Sequence, residues 1–553
     1  MARRKSPWLL GLVALSLAAF LLAGCAGQPP APKQLPPERK VPAIDLWITT
    51  QDYDPVRYEA GLMIAENWKK LGFEVTTTPM EWATMSTKGM NEHQHQAFMC
   101  QWGGRPERID PFQFIYALHH SSQAEKGGYN IAGYINPEFD SLADRFVKTM
   151  DLQTRRDLAF KLQEMLAVDC PQPPIAMRVV THAYNSRDFE NPTMFMGEGL
   201  NAFWNWMTIA PKGERKVVRF GYVSDVKLLN PLSTKTGADI QILRLIYDPL
   251  VRVDVNGEPQ PWAAESYTSL DPTTIEVKLR PDLYFHDGRK VTAQDVKFTY
   301  DLAMQTKAPY YSANIKQLKE VQVVDESTLR FVLSEPFAPF VSNALGMVGI
   351  MPRHIWEPLF KGKGAEAVLT TPNLPPIGSG PFKFAYWRPE EELKLVRFDR
   401  HFSPPKIEGI LRIPYAKAYG VVEGLKADEV DVGGWSLLPL QVEELKKAPH
   451  LTVLTVDDLG YYMMHYNLRV KPFDNPAVRR ALTYAIPKKQ IVEVVFEGQA
   501  VPAYSVVAPV NKFWFNPNTE KPGDDLEKAR QILVQSGFEW DESGRLYYPP
   551  GTR

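Results

Sequence analysis

Four side chains stand where recognition chemistry would use them. The apolar run Ala97-Phe98-Met99-Cys100 leads into Trp102-Gly103-Gly104-Arg105, which places an indole at a strand end beside glycines that let a ligand approach the backbone. Arg105 adds a planar fork of donors suited to carboxylate or phosphate. Tyr222 and Trp435 supply aromatic faces after apolar runs further along. Each has a plainer competing reading: a buried core aromatic for Trp102, Tyr222 and Trp435, and an internal ion pair with Glu107 or Asp110 for Arg105. All four bind rather than transform. No Gly-x-Ser-x-Gly, Walker loop or His-Glu-x-x-His occurs, so no catalytic residue is assigned and a hydrolase ranks low. His93-Gln94-His95 and His119-His120 carry imidazoles, but no carboxylate or thiol at a recognised spacing completes a metal site. They read as exposed loop residues, and neither a metal nor another cofactor is expected.

The elements that must hold these residues follow an α/β pattern with no tandem repeat. From 55 to 71 the apolar residues Ala60, Met63, Ile64, Trp68 and Leu71 recur on one helical face until Gly72 ends the run. Strands at 44–49 and 73–78 flank it, which predicts a β-α-β unit with a parallel pair and a right-handed crossover. A chain of 553 residues exceeds one ordinary core, so two or three domains or one multi-lobed body are expected. The formal net charge of −1, with no clustered Lys/Arg excess, excludes a nucleic-acid partner, and Lys488-Lys489 reads as a solvated helix face.

The first 25 residues read as a targeting segment. Arg3, Arg4 and Lys5 precede an apolar stretch from Trp8 to Ala23 that ends in Leu22-Ala23-Gly24-Cys25. That ending resembles the lipobox of bacterial lipoproteins, which implies acylation at Cys25. Residues 26–40, rich in Pro, Gln and Lys, suit a flexible tether. Cys100 and Cys170 remain, as a disulfide or as two buried free thiols.

From about 217 onward the motifs accumulate: Tyr247-Asp248-Pro249-Leu250-Val251, Pro261-Trp262-Ala263-Ala264-Glu265-Ser266-Tyr267, the run Leu279-Arg280-Pro281-Asp282-Leu283-Tyr284-Phe285-His286-Asp287-Gly288, and Thr292-Ala293-Gln294-Asp295-Val296. Ile377-Gly378-Ser379-Gly380-Pro381-Phe382, Ala427-Asp428-Glu429-Val430-Asp431-Val432, and Asn467 with Pro472-Phe473-Asp474-Asn475-Pro476 follow. These resemble the family 5 solute-binding proteins of ABC importers, the dipeptide, oligopeptide and nickel-binding group. What resembles that family's C-terminal third stands at the front: Leu71-Gly72-Phe73-Glu74-Val75, Trp102-Gly103-Gly104-Arg105-Pro106, Tyr134-Ile135-Asn136-Pro137-Glu138-Phe139-Asp140 and Cys170-Pro171. No segment occurs twice, so a circular permutation is expected rather than a truncated tandem, with 211–215 as the connector between ancestral termini.

The resemblance implies a bilobal periplasmic-binding-protein-like fold of type II, in the large peptide-binder class, here circularly permuted. One lobe is assembled from 41–176 and 456–553, the other from 177–455, with crossings near Ala176 and Thr455 forming a hinge. Trp102 and Arg105 from one lobe, and Tyr222 in the loop after the first family strand with Trp435 from the other, are the expected ligand contacts. Peptide-binding relatives commonly carry an Asp for the peptide ammonium where Arg105 stands, so an anionic ligand group becomes plausible instead. The expected role is a monomeric extracytoplasmic receptor, anchored to the membrane through Cys25, that delivers a peptide or peptide-like solute to ABC permease subunits. A lipoprotein feeding a signalling receptor, or a nickel-complex or haem binder of the same fold, is the alternative.

Overall fold

The computed structural model describes residues 35–551 apart from Pro106, Glu107, Gly127, Ser224, Lys235, Pro309, Tyr310 and Ala313. The expected targeting segment, with Cys25, lies outside the described residues. Among the described residues no helix is long and apolar enough to cross a membrane.

The predicted β-α-β unit is present. Strand Ile44–Thr49 pairs in parallel with Val75–Met80, and the helix Pro55–Lys70 joins them. Asp54 caps that helix by accepting from the Arg57 amide, and Pro55 sits in the first turn, where its missing N–H is harmless. Gly72 ends the helix with a φ of 92°, a left-handed value that suits glycine. The second strand starts two residues later than the apolar pattern predicts, because Phe73 turns inward to the core instead of joining the ladder.

These strands sit at one edge of a twelve-stranded mixed sheet. From the far edge the order runs Phe382–Arg388, Glu392–Arg397, Gly409–Tyr415, Val217–Val223, Val432–Gly433, Pro174–Asn185, Tyr461–Tyr466, Ala97–Trp102, Ile44–Thr49 and Val75–Met80. Strands Leu451–Asp457 and Ala500–Pro502 also pair with Pro174–Asn185. A four-stranded antiparallel sheet built from 264–333 packs beside it.

Residues far apart in the chain complete one core. The Val41 amide donates to the Leu546 carbonyl, the Leu546 amide to Gly72 and the Tyr548 amide to Arg39. The Arg39 guanidinium meets Glu539 at 2.6 Å. The docked segment thus starts at Pro37, inside the stretch expected to be tether. Val41, Ile44, Trp68, Phe73, Leu482 and Leu546 share one apolar cluster, and the Trp68 indole donates to the Leu482 carbonyl at 3.0 Å. A second, larger cluster runs from 114–166 through 184–432 to 503–514, tied where the Ala338 amide donates to Val147 and where Phe112 and Phe337 rings meet edge to face at 5.3 Å.

Two local expectations need correction or completion. Lys488 is no solvated face: it is fully buried, its ammonium donates to the Ala503 carbonyl at 2.8 Å, and burial pushes its pKa down to about 7. Cys100 and Cys170 are free buried thiols, each pushed up to about 11 by desolvation, so they behave as small inert hydrophobes.

Because 41–99 and 462–546 contribute to the same cluster, a chain lacking 41–210 leaves half of that core exposed. We expect it to lack a cooperative transition in urea followed by tryptophan fluorescence; a sharp sigmoidal unfolding curve would contradict this account.

Candidate functional site

The site grows from the twelve-residue strand Pro174–Asn185. Side chains alternate across a strand, so Arg178, Val180 and His182 share one face. That face floors a cavity of about 520 Å³.

Arg178 is held rather than loose. Its Nη2 meets the Asp458 carboxylate at 3.2 Å, and Asp458, almost fully buried, also accepts from the Gly104 and Gly460 amides at 2.8 and 2.9 Å. The Arg178 side chain remains 42% exposed. His182 is buried, and its Nδ1 accepts from the Leu200 amide at 2.9 Å. That bond places the ring proton on Nε2, while burial pushes the pKa down to about 3, so the ring is a neutral donor. Gly199 is required there: a Cβ would stand 2.6 Å from His182 Nδ1, and its φ is 60°.

Two walls rise from this floor. On one, Tyr222 and Trp435 meet ring to ring at 6.4 Å with their planes nearly perpendicular. Tyr222 lies inside the strand Val217–Val223 rather than in the loop beyond it, and its ring rests on the guanidinium of buried Arg412 at 4.5 Å. Trp435 opens the stretch to Leu440; the Thr181 amide donates to Ser436 and the Leu437 amide to the Thr181 carbonyl, which pins this stretch to the floor strand. Trp435, Leu438 and Leu440 nevertheless stay 43%, 64% and 74% exposed. The opposite wall holds Tyr462 and Phe496, edge to face at 5.2 Å, with Val495, Glu497 and Gln499. The Val179 amide donates to the Gln499 carbonyl and ties that wall to the same strand.

Tyr222 and Trp435 therefore line one cavity, whereas Trp102 and Arg105 do not. Trp102 ends its strand as expected, but it packs edge to face on Tyr129 at 5.7 Å with the Arg108 guanidinium 5.1 Å over its ring. The Gly104 backbone beside it is filled by Asp458 and Gly197. Arg105 is exposed, and its carbonyl accepts from Arg108. The Asp110 partner considered for it is engaged by buried Arg155 in a bidentate pair at 2.6 and 2.8 Å; Glu107 lies outside the described residues. Sequence reasoning missed Arg178 and His182. Their signal was two polar side chains four apart in the apolar run 174–184.

His95, His119 and His120 are buried, not exposed in loops as expected. His95 packs edge-on to Phe98 at 4.7 Å, and His465 stacks on the same ring at 4.8 Å. Among the described residues Asp188, Asp428 and Asp431 converge as three carboxylates, yet Arg187, Arg215 and Arg219 already meet them at 2.5–2.9 Å. Bonds from Arg215 and the other two arginines hold the Asp428 carboxyl well below the usual range.

Residues 258–552, more than half of the chain, match the model of the bacterial extracellular solute-binding proteins, family 5 Middle. The chain belongs to this family. It is 26% identical over 378 residues to the dipeptide-binding protein of Escherichia coli (strain K12), covering 63% of this chain and 68% of the relative. It is 28% identical over 324 residues to the oligopeptide-binding protein AppA of Bacillus subtilis (strain 168), covering 58% and 59%. The solved structure of that Bacillus subtilis protein in complex with a nonapeptide matches with a TM-score of 0.47 at 24% identity, over 62% of this chain and 68% of that one. These relatives are solute-binding proteins, and this chain spans 59–68% of their length.

The buried imidazoles make stability pH-dependent. Desolvation lowers His95 and His182 to about 3 and His119 to about 4, and it holds His465 well below its ordinary value. The unfolded chain therefore binds more protons than the folded one once pH falls below about 6.5. Stability present above that pH should decline steadily toward pH 3–4. Urea midpoints measured between pH 7.5 and 5 should fall, and His95→Phe should flatten the slope; an unchanged slope would show that His95 titrates normally.

Proposed function

We propose that this protein is a lipid-anchored, extracytoplasmic receptor, acting as a monomer, that captures a peptide or peptide-like solute between two lobes and presents it to the transmembrane subunits of an ABC importer. The observation that carries the reading is the 520 Å³ cavity, walled on both sides of one long strand and floored by polar groups, with an apolar exposed rim. The names of the relatives, dipeptide-, oligopeptide- and glutathione-binding, point to solutes of this size.

Mechanistically, the floor strand and Leu451–Asp457 run antiparallel from Leu451↔Asn185 to Asp457↔Val179, and the two crossings expected near Ala176 and Thr455 fall within this pair of strands. A solute that touches both walls binds the closed arrangement more tightly and shifts the population toward it. Trp435, Leu438 and Leu440 are then covered, and the importer has a closed form to recognise.

The permuted order is part of this proposal. It is supported by the bonds that join 39–41 to 546–548, and by a family match lying wholly after the connector 211–215. Arg215 at the end of that connector bridges Asp188, Asp428 and Asp431, so the junction is a well-anchored part of the fold.

Three measurements test the reading. A saturating peptide should shrink the radius of gyration in small-angle scattering, and Tyr222→Ala or Trp435→Ala should weaken its binding by about tenfold, the loss of one aromatic contact, while Arg105→Ala leaves it unchanged. Identical scattering with and without bound peptide would refute closure. Separately, labelled fatty acid should be incorporated into the wild-type chain and not into Cys25→Ser; equal labelling of the variant would refute acylation at that thiol.

A further inference from the structure

Arg178, Val180 and His182 form a graded floor: cation, apolar side chain, neutral hydrogen-bond donor. Two residues along a strand advance about 6.5 Å, so Arg178 and His182 stand about 13 Å apart on one face, the reach of about four extended peptide residues. Among the described residues that line the cavity, Arg178 alone is basic. Its Nη2 is spent on Asp458, whose Oδ1 is satisfied by two backbone amides, and that arrangement fixes the fork in place. Glu198, also on the wall, is ion-paired with Arg244 at 2.9 Å.

Resting on the receptor reading above, we propose that the cavity takes an extended monocarboxylate, whose carboxylate is read by Arg178 and whose uncharged acceptor, a carbonyl, is read by His182 Nε2–H, with the intervening body lying on Val180 between the aromatic walls. The chemical fit is specific at both ends. A carboxylate accepts from Nη1 of a guanidinium that Asp458 already orients through Nη2, so little entropy is lost on binding. The His182 ring cannot serve a cation: its Nδ1 lone pair is occupied by Leu200 and its Nε2 carries a proton. A ligand amine or ammonium at that position would leave the donor unpaired. Arg178 and His182 are thus specificity-determining residues.

The test compares matched acid and amide forms of one ligand, which differ only at the carboxylate. Short peptides and non-peptide aliphatic and aromatic carboxylates would be measured by calorimetry as free acids and as primary amides, against the full soluble chain and the variants Arg178→Gln, Arg178→Lys and His182→Phe. The wild type should prefer the acid by about tenfold or more. Arg178→Gln should abolish that preference by bringing acid affinity down to that of the amide; Arg178→Lys should retain a reduced preference, because charge survives and the orientation set by Asp458 does not. His182→Phe should weaken acid and amide equally. No acid preference in the wild type, its persistence in Arg178→Gln, or binding of no carboxylate at all would overturn the inference. A preference seen only with non-peptide carboxylates would keep it and sink the peptide reading of the receptor. The wild-type acid–amide comparison needs no variant to fold.

Discussion

The hydrogen-bond ladder on both edges of the strand Pro174–Asn185 is the constraint on which the rest depends. Its outer half pairs with Leu451–Asp457 and touches Val432–Gly433, while its inner half pairs with Tyr461–Tyr466 and Ala500–Pro502. Each backbone group of a buried strand must find a partner, so each wall stays in register with the half of the floor strand it pairs with. Strand periodicity then decides chemistry. A shift of one residue would turn Arg178 and His182 away and present Val179 and Thr181 instead.

The charges follow the same economy of position. Arg178 would be poorly placed beside an apolar cavity without Asp458, and Asp458 would be costly to bury without the Gly104 and Gly460 amides. A second network does for the outer half what Asp458 does for the floor. Three arginines surround three aspartates where the floor strand, the segment 211–215 and the strand Val432–Gly433 meet, and Asp431 within this set is wholly buried. Removing one partner from such a set leaves an uncompensated charge, which is far more destabilising than the set is stabilising. Fully satisfied, it specifies which strands meet.

How much of this was legible beforehand differs by element. The helix 55–70 was visible in its 3.6 periodicity and its parallel strands in the apolar runs that flank it, because Asp54, Pro55 and Gly72 act within a few residues of the ends they define. Tyr222 and Trp435 were nominated because aromatics at the ends of apolar runs are local signals, and both line the cavity. Trp102 bears the same local signal, yet its surroundings are set by Asp458, Gly197 and Tyr129, so the inference stopped short. Lys488 was misjudged for a like reason: a Lys-Lys pair looks solvated until the fold covers one of the two.

By itself, the sequence determined the membership motifs, the α/β alternation, the β-α-β unit and the aromatic candidates, since each is written in residues that neighbour one another. The tertiary structure alone decided which face of 174–185 opens on a cavity, which charges neutralise one another and which thiols and imidazoles are sealed from water. Arg178 meets Asp458 across 280 positions, and Arg39 meets Glu539 across 500. Periodicity reports which residues share a face, but only long-range pairing settles what that face looks upon.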